Sequence, residues 1–193
     1  MCSTGKSAHI QTNFSENHFR TASGDTGNVA QSSDCHLVFC HVILHQLVQI
    51  GNSPVQIIDM IYEKNPVEDL TLVTDSINVS DENSLKYLTG ITDGSLVSEA
   101  AISGPMIGSI PYSMVVVRVK DKKDTATVAQ QMKDNINLRR WVCVEADTLT
   151  VVGYDDVIML FMINSENYGD VASTDGMKEA FKSICGGTLD VDL

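Results

Sequence analysis

The sequence predicts an α+β fold, a mainly antiparallel sheet with helices packed on it in two layers, and three observations carry that expectation. A valine-rich run from Tyr112 to Lys120 reads as a strand stopped by charge at Lys120 to Asp124. Two further apolar runs, Thr148 to Val152 and Asp156 to Ile163, are separated only by Gly153-Tyr154-Asp155, so they read as a hairpin. The segments between strands carry helical periods with caps. Strands joined by short turns favour an antiparallel sheet over a doubly wound one.

The elements follow in order along residues 52–187, the expected single domain, with 188–193 as a tail. Ser53, Pro54 and Gln56 form a capping-box pattern opening a helix to about Asn65-Pro66, with Val55, Ile58 and Tyr62 inward. Leu70 to Thr74 reads as a short strand. Ser80, with Asp81 and Glu82 behind it, opens a second helix anchored by Leu85, Tyr87 and Leu88 and closed by Gly90 as a left-handed cap. Leu96 to Ser103 is the next strand, and Gly104-Pro105 and Gly108 punctuate the loop after it. Asp124 caps a helix in which Val128, Met132 and Ile136 repeat on one face, leaving Gln130, Lys133 and Asp134 to solvent. Thr174 or Asp175 opens the last helix, which runs to about Cys185.

Charge and composition divide the chain. Its 193 residues carry a formal net charge of −12, and most of the acidic excess lies after residue 50. Such a surface repels phosphate backbones, so nucleic acid is not an expected partner. Residues 1–34 are rich in Ser, Thr, Asn and Gly and show no period, so they read as disordered or non-native sequence. The run 37–50, LVFCHVILHQLVQI, is too short for the roughly 20 apolar residues of a membrane span and contains His41 and His45. It predicts an amphipathic helix over 35–51 and no transmembrane span. Nor does it show the basic flank and small-residue cleavage site of a signal peptide.

Chemistry-bearing residues are few. Cys40, His41 and His45 are candidate metal ligands, the two histidines being one helical turn apart, and imidazole and thiolate suit zinc. No second cluster follows to complete a site, because the rest of the chain has no His and only Cys143 and Cys185. The competing reading is a polar stripe on an amphipathic helix. Ser3-Thr4-Gly5-Lys6-Ser7 has the end of a phosphate loop without its earlier glycine or its strand. Glu68-Asp69, Asp81-Glu82 and Asp155-Asp156 read as helix starts and turn tips. Arg139, Arg140 and Trp141 are the candidate ligand-binding residues, suited to an anionic or planar group. They read alternatively as a core anchor with arginines at a helix C-terminus. No cofactor is implied.

The chain resembles a family over roughly residues 54–164. The segments that carry the likeness are Lys86-Tyr87-Leu88-Thr89-Gly90-Ile91, the strand with Val97, Glu99 and Ala100, the run Val117 to Asp121, Arg139 to Ala146, and Asp156 to Met162. It is similar to an uncharacterised domain-of-unknown-function family of small envelope lipoproteins from Gram-positive anaerobic bacteria. The resemblance implies no catalytic residues. It does imply an extracytoplasmic location, with Cys2, followed by Ser3, Thr4 and Gly5, as the candidate lipidation site. No apolar stretch precedes Cys2, so the expectation is a membrane-tethered protein if Cys2 is acylated and a cytoplasmic one otherwise. Two function classes follow. The first is a non-catalytic binding or scaffolding module whose partner is an envelope protein or a small ligand. The second is a small hydrolase or metal-dependent enzyme using the acidic residues or the Cys/His segment.

Overall fold

The computed structural model describes residues 51–193, and the readings of residues 1–34, of the helix over 35–50, and of Cys2, Cys40, His41 and His45 lie outside the described residues. The elements are α1 (Pro54–Lys64), β1 (Leu72–Ser76), α2 (Glu82–Thr89), β2 (Val97–Pro105), β3 (Tyr112–Val119), α3 (Thr125–Asn135), β4 (Thr148–Tyr154), β5 (Val157–Ile163), α4 (Ser165–Tyr168), α5 (Thr174–Ile184) and β6 (Val191–Asp192). The strands form one six-stranded sheet in the order β1-β2-β3-β5-β4-β6, every pairing antiparallel. The architecture is α+β, with helices packed on an antiparallel sheet.

The sheet carries helices on both faces, so the layers number three rather than the expected two. On one face α1 and α5 bring Ile57, Ile58, Ile61, Met177, Phe181 and Ile184 against Met114, Val116, Met159 and Phe161. On the other, α2 and α3 bring Leu85, Val128, Ala129 and Met132 against Val115, Val117, Ile158 and Leu160. Neighbouring strand residues point to opposite faces, so both cores draw on the same strands. That explains why β5, Val-Ile-Met-Leu-Phe-Met-Ile, has no polar position: all of its residues are buried. A strand covered on both sides reads as a continuous apolar run and gives no alternation from which to count layers.

Local chemistry sets the helix ends. At α1 the Ser53 side chain accepts from the Gln56 N–H while the Gln56 side chain accepts from the Ser53 N–H, completing the capping box. Asp81, not Ser80, caps α2, accepting from the Ser84 N–H at 3.2 Å. Of the expected α2 anchors Leu85 is buried, but Tyr87 is exposed because its position on the helix faces away from the sheet. The cap of α5 is Ser173, one residue before the expected position. β1 begins two residues later than expected, and 188–193 is no tail. Val191 and Asp192 extend the sheet beside β4, and Leu193 exchanges backbone hydrogen bonds with Val151. Two residues are too few to show a period. Among the described residues no helix is long and apolar enough to cross a membrane.

Two features of the core generate expectations. Gly90 ends α2 at φ 79, and a Cβ there would lie 2.9 Å from both the Ile136 nitrogen and the Met132 oxygen. Gly90→Ala therefore combines a left-handed penalty with a backbone collision, and urea denaturation should show a loss of roughly 2–4 kcal/mol. Gly108→Ala, where nothing lies within 4 Å, should change little.

The Tyr62 hydroxyl donates to Ser103 Oγ at 2.9 Å and lies 3.0 Å from the Tyr112 hydroxyl, whose ring meets Phe161 edge-on. Burial raises the pKa of both phenols, and burial also pushes the Cys185 thiol up to about 12 from 9.0, with Asp190 adding to it. An acid whose folded pKa is raised favours the folded state below its unfolded pKa and loses that contribution above it. Stability should thus fall as pH rises through 9 and 10, the ordinary thiol and phenol values. Tyr112→Phe, measured by thermal melts against pH, should flatten that alkaline decline; an unchanged slope would show that the phenol contributes nothing to it.

Candidate functional site

Tyr112 and Thr148 both pair with Ile163, so the start of β3, the start of β4 and the end of β5 share one end of the sheet. Three connections therefore converge there: 106–111 between β2 and β3, 136–147 between α3 and β4, and α4 with its cap after β5. This end is where function is best sought, since the faces of the sheet are occupied by helices.

The connection 136–147 contains the sequence-predicted trio, and its neck is closed by the Ala146 N–H donating to Leu138 O at 2.9 Å. Arg139 and Arg140 lie beyond the last turn of α3, which ends at Asn135, so they do not complement its dipole. Arg140 reaches back to α2: Nη1 donates to Leu88 O at 3.0 Å, and the Tyr87 hydroxyl donates to Arg140 O at 3.1 Å. Its guanidinium carbon stands 4.9 Å from the centre of the Trp141 ring, a cation–π distance. Burial draws its pKa down to about 10, opposed by Tyr87, so it remains a cation at neutral pH. Trp141 is half-buried and packs against the α2/α3 core. Arg139 is exposed and its Nε donates to Glu145. That hydrogen bond and the positive charge hold the Glu145 carboxyl below the usual range.

The other flank of the connection is tied to α4. Asn164 caps α4 by accepting from the Asn167 N–H at 2.9 Å, and its Nδ2 donates to Glu145 O at 3.1 Å. Asp147 accepts from the Ser165 N–H at 2.7 Å and the Glu166 N–H at 3.3 Å. Those backbone donors at a helix start lower its pKa, the Ser165 N–H first among them. The segment from Arg139 to Asp147 is thus held to α2 on one side and α4 on the other.

Its crest, Cys143 to Glu145, separates two clefts. The smaller, about 350 Å³, is lined by Arg139 and Trp141 with the crest residues. The larger, about 580 Å³, lies between the crest and Ser109, Pro111, Asn164, Asn167 and Tyr168. Both fall within the few hundred to a thousand Å³ usual for ligand sites. Hydroxyl and amide side chains line the larger cleft, and Met106, Ile107 and Val142 stand exposed at 72%, 62% and 76% on the connections that form it. Sequence reasoning named Arg139 and Trp141, which reach the smaller cleft, and missed the larger one. The available signal was the charge-free run Pro105 to Ser113, whose apolar residues have no helix or strand period.

The remaining candidates have local roles. Asp81 caps α2, Asp155 and Asp156 form the β4–β5 turn with Asp155 at φ 50, and Asp156 pairs with Arg118. Cys143 is exposed and Cys185 buried, and among the described residues they form no disulfide. Among the described residues no group of three or more His, Cys, Asp or Glu could hold a metal ion.

The two arginines should therefore separate in mutagenesis. Arg140→Ala removes a charged hydrogen bond and the cover of the ring, so stability should drop by about 1–3 kcal/mol. Emission from Trp141, the one tryptophan of the chain, should shift to the red. Arg139→Ala, which loses an exposed ion pair, should leave both the melting temperature and the emission unchanged. Compared with family models, with curated proteins and with solved structures, the chain matches none.

Proposed function

We propose that this protein is a non-catalytic binding or scaffolding module of the cell envelope, working on the extracytoplasmic side and tethered to the membrane through Cys2 when that residue is acylated. The observation that carries the binding part is the larger cleft together with Met106, Ile107 and Val142, which are exposed on the connections that form it. Helices cover most of the apolar surface of the sheet, and exposed apolar side chains on the connections around a recess are a common mark of a contact surface. The crest is braced from both flanks, so the cleft is preformed and a ligand entering it loses little in ordering the protein. The family resemblance supports the location.

A site-specific photocrosslinker at Ile107 or Val142, activated in the cells of origin, tests this reading. Adducts should form at both positions and be absent when the crosslinker is moved to Lys133 on the outer face of α3. Ile107→Asp with the crosslinker at Val142 should reduce the adduct by about tenfold, consistent with a polar group forced into an apolar contact. Equal labelling at Lys133 would reject the site. The mass of the mature chain tests the location: an acyl chain on Cys2 supports the tether, and an unmodified soluble protein removes it.

A further inference from the structure

Among the described residues the sheet has an unpaired edge that the cleft does not use. β1 pairs along its whole length with β2, and β2 is its one partner among the described residues. Two hydrogen bonds fix which of its backbone groups face β2: Met106 N–H donates to Thr71 O, and Ile77 N–H donates to Ala100 O. Backbone groups alternate sides along an antiparallel strand, so Val73 and Asp75 also face β2. Leu72, Thr74 and Ser76 turn their N–H and C=O groups outward. Pro105 opposite Leu72 agrees with this, since a proline has no N–H to give at a bonded pair.

Short length, charge, lysine, proline, a bulge or cover can guard an edge, and of lysine, proline and a bulge there is no instance in β1. Its register with β2 is regular, and Val73 is exposed on the face away from α1. Between Lys64 and Lys86 the charged residues of the chain around β1 are all acidic. From Asn65 to Leu85 the chain has Glu68, Asp69, Asp75, Asp81 and Glu82, all exposed, and no lysine or arginine. Two copies meeting antiparallel at β1 would bring Glu68 and Asp69 of one beside Asp81 and Glu82 of the other, so the charge opposes self-pairing.

We propose that the outer edge of β1 is a docking site for an extended segment of a partner protein that carries lysine or arginine at its ends and β-branched residues between them. Main-chain hydrogen bonds to Leu72, Thr74 and Ser76 supply the pairing, as in other strand additions, and the acidic flanks select the charge. The occupant's apolar side chains lie beside Val73. This surface is separate from the cleft and does not rest on the reading given for it.

The probe is the acetylated, amidated peptide Lys-Thr-Val-Thr-Val-Thr-Lys, titrated into the isotope-labelled protein and followed by amide chemical shifts and hydrogen exchange. Shifts should centre on Leu72, Thr74 and Ser76, with exchange at those amides slowed. Binding should weaken as salt is raised, and the same peptide with Glu in place of Lys should bind about tenfold more weakly or not at all. Thr74→Pro removes an outward N–H without touching the β2 ladder and should abolish binding; Asp75→Lys tests the charge in a chain that keeps every backbone donor and should weaken binding of the basic peptide. Val142→Asp on the 136–147 connection should have no effect. The proposal fails if the basic peptide causes no shift at millimolar concentration, if the two peptides bind alike, or if Thr74→Pro and Asp75→Lys both bind normally. It fails equally if sedimentation shows a dimer whose contact protects these amides without peptide, which would assign the edge to a second copy.

Discussion

The two-sided burial of β5 is the constraint on which the rest of the structure depends. It lies between β3 and β4, and its side chains feed both cores: Met159 and Phe161 under α1 and α5, Ile158 and Leu160 under α2 and α3. Each such side chain contributes about 1.5–3 kcal/mol by leaving water, and no position on the strand is free to be polar. Helices are therefore required on both faces. A two-layer arrangement would leave Ile158, Leu160 and Met162 in solvent beside Val115 and Val117. The α2/α3 layer is what the composition of β5 demands.

That arrangement explains where binding surfaces can exist. With both faces closed, what remains is the two ends of the sheet and its edges. At the far end the short β4–β5 turn is tied down by Asp156 to Arg118, and the Thr125 hydroxyl donates to Asp155 O at 2.6 Å. At the other end the long α3–β4 connection, 136–147, makes a crest that α2 and α4 hold up. The edges differ as well. Among the described residues β6 covers part of one side with a two-residue pairing, and β1 leaves the other unpaired over five residues.

Features that act within a few residues were legible in the sequence. The Ser53 to Gln56 box, the Gly90 cap, the Val128, Met132 and Ile136 stripe and the central strand at Tyr112 all follow from local rules, because partner and signal sit within one turn. What was not legible depends on distant contacts. Tyr87 resembles an anchor in any helical period, and only the position of Arg140 gives its hydroxyl a partner on the outside. The larger cleft draws on Ser109, Val144 and Asn164, ordinary residues in three separate connections, and no spacing rule joins them. Arg139, Arg140 and Trp141 were visible as an unusual cluster. The sequence could not say that Arg140 is spent on bracing the connection while Arg139 and Trp141 reach a recess.

The strand order also bears on how the chain matures on the ribosome. β1, β2 and β3 are consecutive and pair in sequence, yet β3 finds its second neighbour in β5, after α3 and the whole of β4 have been made. Until Ile163 has left the exit tunnel, β3 presents an unpaired edge and two faces without most of their cover, a surface prone to adhesive contacts. During synthesis this is the stage at which the nascent meander is most open to adhesive contacts. The last strand inserted at the centre acts as the latch of the molecule, and truncations that stop short of it should be expected to yield sticky fragments rather than a smaller working domain.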